Sequence, residues 1–138
     1  AAHPLDPEAG LRRAAELADG RAWLTGAVQV RAGAAAEQRG DLAAAQAAYA
    51  AAVDAFASGG AVRPPHGHLE HGFARLKLAS VQLARGDRAG ARRALERLAA
   101  ELAAPAGDRP GPAKELLGRT YWELARACRA LGDHAAAA

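Results

Sequence analysis

The chain has 138 residues and a formal net charge of +3, one domain's worth of polypeptide with an ordinary solubility charge. It carries 42 Ala, 16 Leu and 16 Arg against two Lys, with no Ile, Met or Asn and 4% aromatic residues. Helix formers dominate and strand formers are nearly missing, which argues against all-β and α/β folds; no run of 18 apolar residues offers a membrane span, and a single cysteine, Cys128, cannot build an intramolecular disulfide framework.

In chain order, the first predicted helix runs over 6–18, with Asp6 as its cap and Pro7 at the first helical position. A second helix is expected over 20–39. The dipeptide Gly40-Asp41 then closes it: glycine supplies a left-handed residue, and aspartate caps the next helix with its carboxylate. That next helix covers 41–57. A loop rich in Gly and Pro spans 58–67 and breaks the pattern. Helices over 68–85 and 87–103 follow, joined by a second Gly-Asp, Gly86-Asp87. A second loop, 105–112, leads to a helix over 113–131, and Gly132-Asp133 begins a further turn near the chain end. Helices joined by links this short are expected to pack antiparallel.

Gly40-Asp41, Gly86-Asp87 and Gly132-Asp133 recur at intervals of 46 residues. Sliding the chain by 46 also superposes Gly26, Gly72 and Gly118, then the small residues Gly33, Ala79 and Ala125. After each anchor the same shift aligns Ala45, Ala91 and Ala137, and it pairs Tyr49 with Leu95. Alanine-rich sequence matches itself by chance, but two evenly spaced glycine series do not depend on alanine. A repeat of this kind buries its apolar face against its neighbours.

The spacing resembles the tetratricopeptide repeat (TPR), a pair of antiparallel helices. That repeat has a small residue at its eighth position, glycine at its fifteenth, alanine at its twentieth and a large apolar residue at its twenty-fourth. Gly33, Gly40, Ala45 and Tyr49 match in the first repeat, Ala79, Gly86, Ala91 and Leu95 in the second, and Ala125, Gly132 and Ala137 in the third. The period is longer than the usual 34 residues. The aromatic expected at the fourth position is Gln29 and Arg75 in the first two repeats and Tyr121 in the third. Longer repeats of this type look like those of bacterial multidomain regulators. The resemblance implies an all-α, right-handed solenoid of helical hairpins over 1–138: a preceding helix (6–18), repeats over 20–57 and 68–103, and a partial repeat over 113–138.

It also implies a function. In the family, the first helix of each repeat lines a concave groove that holds a peptide or partner segment. The positions carried over are Ala27, Val30, Ala34 and Glu37, then Phe73, Leu76, Ser80 and Leu83, then Arg119, Trp122, Arg126 and Arg129. The last four fall on one helical stripe by spacing alone. Arginines that fork onto carboxylates beside a flat indole suit an acidic, partly apolar peptide. Charge leans the same way, with net −2 over 1–58 and net +5 over 59–138. The leading expectation is therefore a protein–protein interaction or scaffolding module of a larger bacterial regulatory or signalling protein, without cofactor. Self-assembly through the terminal helix into a homo-oligomer and sensing of a small ligand are the alternatives.

Other chemistries have less behind them. An isoelectric point near 9.6 invites a nucleic-acid reading, but acids are interspersed among the bases and no nucleic-acid signature is present. His66, His68 and His71 beside Glu70 form a weak metal candidate at a loop–helix junction. No nucleophile elbow, phosphate loop or dinucleotide fingerprint occurs, and Ser appears only at 58 and 80, so an enzyme is not expected. Cys128 is expected as a buried structural thiol and Trp23 as core. No leader opens the chain, and the cytoplasm is the expected location, although a trimmed leader would leave no trace. Lacking Met, the chain is expected to be processed or a section of a longer array.

Overall fold

The computed structural model describes residues 6–59, 67–103 and 111–132, except for the side chains of His68 and Pro112. Among the described residues there are five α-helices and no strand: α1 (Pro7–Gln38), α2 (Leu42–Ala57), α3 (Gly67–Ala84), α4 (Arg88–Ala103) and α5 (Gly111–Ala130). The chain is all-α, as its composition requires.

Both Gly-Asp junctions form by one mechanism. Gly40 has φ +74 and Gly86 φ +95, in the left-handed region that costs an L side chain but not glycine. The turn lets the Asp41 N–H donate to the Ala36 carbonyl and the Asp87 N–H to the Gln82 carbonyl, each at 2.9 Å, which closes α1 and α3. Each aspartate then accepts from a backbone N–H in the next first turn, Ala44 for Asp41 and Gly90 for Asp87, both at 3.0 Å. Gly132 repeats the conformation at φ +77; Asp133 lies outside the described residues.

One boundary differs from expectation. The segments 6–18 and 20–39 are a single helix, α1, capped by the Asp6 carboxylate, which accepts from the Glu8 N–H at 3.0 Å. Gly20 interrupts nothing. A helical glycine is weaker than alanine by about 1 kcal/mol, but only a left-handed φ or a proline would end the helix, and Gly20 has neither.

Packing follows the glycines. A Cβ on Gly26 would collide with the Phe56 ring, and one on Gly33 would lie 2.6 Å from Tyr49 Cε1. These contacts run in opposite directions along the two helices, so α1 and α2 are antiparallel. In the same way, Phe56 approaches His71 and Gln46 accepts from Arg85, which makes α2 and α3 antiparallel. The 46-residue register is also a register of burial: Ala45 with Ala91, Tyr49 with Leu95, Ala52 with Leu98 and Phe56 with Leu102 are all buried. Of the nineteen buried apolar residues among the described residues, nine are alanine, so helix approach depends on small side chains.

The helices fall into two sets. Among the described residues α1 contacts α3 and α3 contacts α5, whereas α2 and α4 do not touch each other. Contacts thus run from α1 through α3 to α5, with α2 packed on α1 and α3 and α4 packed on α3 and α5. No described helix is long and apolar enough to cross a membrane.

Candidate partner-binding groove

Clefts open on both sides of α3. The first, about 360 Å³, lies between α1 and α3 and is lined by Ala27, Val30, Arg31, Phe56, Leu69, Glu70 and Phe73. Its walls are mostly apolar because Phe56 reaches through from α2 to seat on Gly26. The second, about 450 Å³, lies between α3 and α5; Leu76, Lys77, Ser80, Glu115, Gly118, Arg119, Trp122 and Glu123 line it. Phe73 stands between them, with the Arg119 guanidinium 5.4 Å from its ring centroid, a cation–π contact that holds the arginine across the ridge.

A polar network braces these helices. The Tyr49 hydroxyl donates to Glu37 Oε2, and Lys77 Nζ sits 3.0 Å from the same oxygen and 5.8 Å from the Tyr49 ring centroid. Burial, then the bond to Glu37 and its negative charge, push the Tyr49 hydroxyl pKa above its ordinary value. On α3 and α4, Arg75 pairs with Glu101 and holds that carboxyl below the usual range by its hydrogen bond, against a smaller opposing effect of burial.

The expected contact residues divide accordingly. Trp122 is 64% exposed and, with Arg119, lines the second cleft. Arg126 is exposed but pairs with Glu123, its Nη1 3.0 Å from Glu123 Oε2. Arg129, a turn further on, is exposed and lines neither cleft. Phe73 is half-buried between the clefts. Leu76 is a core residue that forms the floor of the second cleft, and Glu37 is held by Tyr49 and Lys77. Of the remaining carried-over positions, Ala27 and Val30 line the first cleft and Ser80 the second.

Sequence reasoning missed Arg31, Leu69, Glu70, Lys77, Glu115 and Glu123. Arg31 lies four residues after Ala27, and Glu115 four before Arg119, so helical spacing was an available signal. Lys77 lies four after Phe73 and had the same signal, but its pairing with Glu37, 40 residues away, had none. Charges in the groove are mixed. Among the described residues Arg31, Arg119 and Arg129 have no carboxylate partner, and Glu70 and Glu115 have no cationic one.

Of the histidine candidates, His66 and the His68 side chain lie outside the described residues, and His71 lies 6.1 Å from the Phe56 ring, centroid to centroid. No group of three metal-ligating side chains is found among the described residues. Cys128 and Trp23 are buried, and Trp23 packs on Phe56 at 4.8 Å between centroids. Comparison of the chain with protein-family models, curated proteins and solved structures finds no match in any of the three.

Proposed function

We propose that this chain is a TPR-like interaction module that holds an acidic, partly apolar segment of a partner protein along α1, α3 and α5. The observation that carries the proposal is the pair of adjoining clefts with Trp122 exposed at one end. The apolar cleft between α1 and α3 accepts a hydrophobic side chain. In the cleft between α3 and α5, Arg119 offers a guanidinium with no carboxylate partner among the described residues, and Trp122 a flat indole face. The right-handed solenoid implied by the family resemblance is part of the same proposal. Its support is the run of contacts from α1 through α3 to α5, with α2 and α4 apart from each other among the described residues. Within it the module is a non-catalytic scaffolding part of a larger bacterial regulatory protein in the cytoplasm.

Titration of labelled acidic peptides with one central leucine or phenylalanine, followed by the fluorescence anisotropy of the peptide label, tests the proposal. Arg119→Glu and Trp122→Ala should each weaken binding by about tenfold, the loss of one charge-assisted or aromatic contact. Unchanged affinity in both variants would remove the groove from consideration.

Self-association has its own supporting observation. On the outer face of α1, Leu17, Leu24 and Val28 form one stripe and are 60%, 66% and 55% exposed. The register equivalents of Val28, Ala74 and Thr120, are fully buried. Light scattering across protein concentration distinguishes the two, since a monomer at every concentration would exclude assembly through α1.

A further inference from the structure

We propose that the outer face of α1, from Leu17 to Ala35, seats an acidic amphipathic helix of a partner protein at a place distinct from the groove. The 46-residue register identifies the face. Val28, Ala32 and Ala35 of α1 correspond to Ala74, Leu78 and Val81 of α3 and to Thr120, Leu124 and Ala127 of α5. On α3, Ala74 clusters with Ala52 and Phe56 of α2, and Val81 clusters with Ala45 and Tyr49 of α2, with Leu78 packed against them. On α5, Thr120 is fully buried, and Leu124 and Ala127 join the cluster of Leu95, Leu98 and Leu102 of α4. The chain thus receives a helix on this stripe twice, α2 on α3 and α4 on α5. On α1 the same stripe is bare. Val28, Ala32 and Ala35 are all exposed, in the second half of a helix that is described throughout. Leu24 and Leu17, also exposed, continue the stripe toward the N-terminus at spacings of four and seven.

Charge selects the occupant. Arg21 stands on the stripe between Leu17 and Leu24, exposed and with no carboxylate partner among the described residues. By helical spacing the acids of α1, Glu8, Glu16, Asp19 and Glu37, all fall off the stripe. Two copies joined face to face would bring both Arg21 side chains to one seam that holds no carboxylate. A partner helix with an apolar stripe flanked by glutamates covers the leucines and pairs the guanidinium.

Two labelled helical peptides of about 24 residues, long enough to span Leu17–Ala35, test the proposal by fluorescence anisotropy against the full chain. One carries leucine and alanine on one stripe and glutamate elsewhere; the other has lysine in place of every glutamate. The glutamate peptide is expected to bind about tenfold more tightly than the lysine peptide. Arg21→Glu should remove that preference. Val28→Glu should abolish binding without lowering the Tm, because position 28 is exposed. Arg119→Glu, a change in the groove, should leave the affinity as it is, so the seat and the groove can fail separately. Failure of the glutamate peptide to bind, equal affinities for the two peptides, a preference kept in Arg21→Glu, or binding lost in Arg119→Glu would each overturn the proposal. A dimer of the free chain in light scattering that Val28→Glu dissociates would overturn it too, since a second copy would then occupy the face.

Discussion

Gly33 and Gly20 occupy the same helix and should respond to alanine with opposite signs. At Gly33 the added methyl would lie within 2.8 Å of three Tyr49 ring atoms. Tyr49 is fully buried and tied through its hydroxyl to Glu37, so the ring has no room to retreat. Gly33→Ala should lower stability by roughly 1–3 kcal/mol, the usual effect of overpacking. Nothing lies within 4 Å of a Cβ at Gly20, and Gly20→Ala should raise stability by about 0.5–1 kcal/mol through chain entropy and helix propensity. Urea denaturation of both variants gives the signs directly. Tyr49 also confers a pH dependence. Its hydroxyl pKa is raised in the folded chain, chiefly by burial and then by Glu37. The folded state therefore favours the protonated phenol. That contribution is fully present below the ordinary value of 10.0 and is lost progressively as pH rises above it. Unfolding free energy should fall more steeply above about pH 10 in the wild type than in Tyr49→Phe; equal slopes would contradict the assignment.

The helix junctions were legible in the sequence because their chemistry is local. A glycine that must be left-handed and an aspartate that must cap are adjacent residues, and both junctions form as expected. Gly86→Ala should therefore destabilise the chain by about 1–2 kcal/mol, the penalty for an L side chain at φ +95, as measured by thermal unfolding. The continuity of α1 was not legible. A glycine flanked by helical patterns reads equally as a break or as a weak interior position, and only neighbouring structure decides. Here α1 runs on past the end of α2, and the first of its residues to be buried is Trp23. Among the described residues nothing buries the turns before Trp23, and helical turns without tertiary cover are marginal in water. Their amides should exchange with solvent faster than those of 26–36, even though both belong to one helix. Uniform protection along α1 would show that something covers its first turns.

At the scale of the molecule, close helix approach through small side chains lets contacts run from α1 through α3 to α5. Large side chains at Gly26, Gly33 and Ala79 would push α2 and α4 away from those helices. The family resemblance implied Ala27, Val30, Phe73, Arg119 and Trp122 as groove positions, and all five line the clefts. What the period could not show is which groove positions the fold itself uses. Leu76 fills the core, and Glu37 is held by Tyr49 and Lys77 across a long stretch of sequence. The arrangement leaves Arg119 and Trp122 exposed at one end of the groove. The most direct measurement of its role is backbone-amide NMR mapping during titration with an acidic peptide carrying a central leucine. Shifts concentrated on 27–31, 73–80 and 115–123 are the predicted result. Shifts largest on the outer surfaces of α2 and α4, or none at saturating peptide, would contradict a partner groove along α1, α3 and α5.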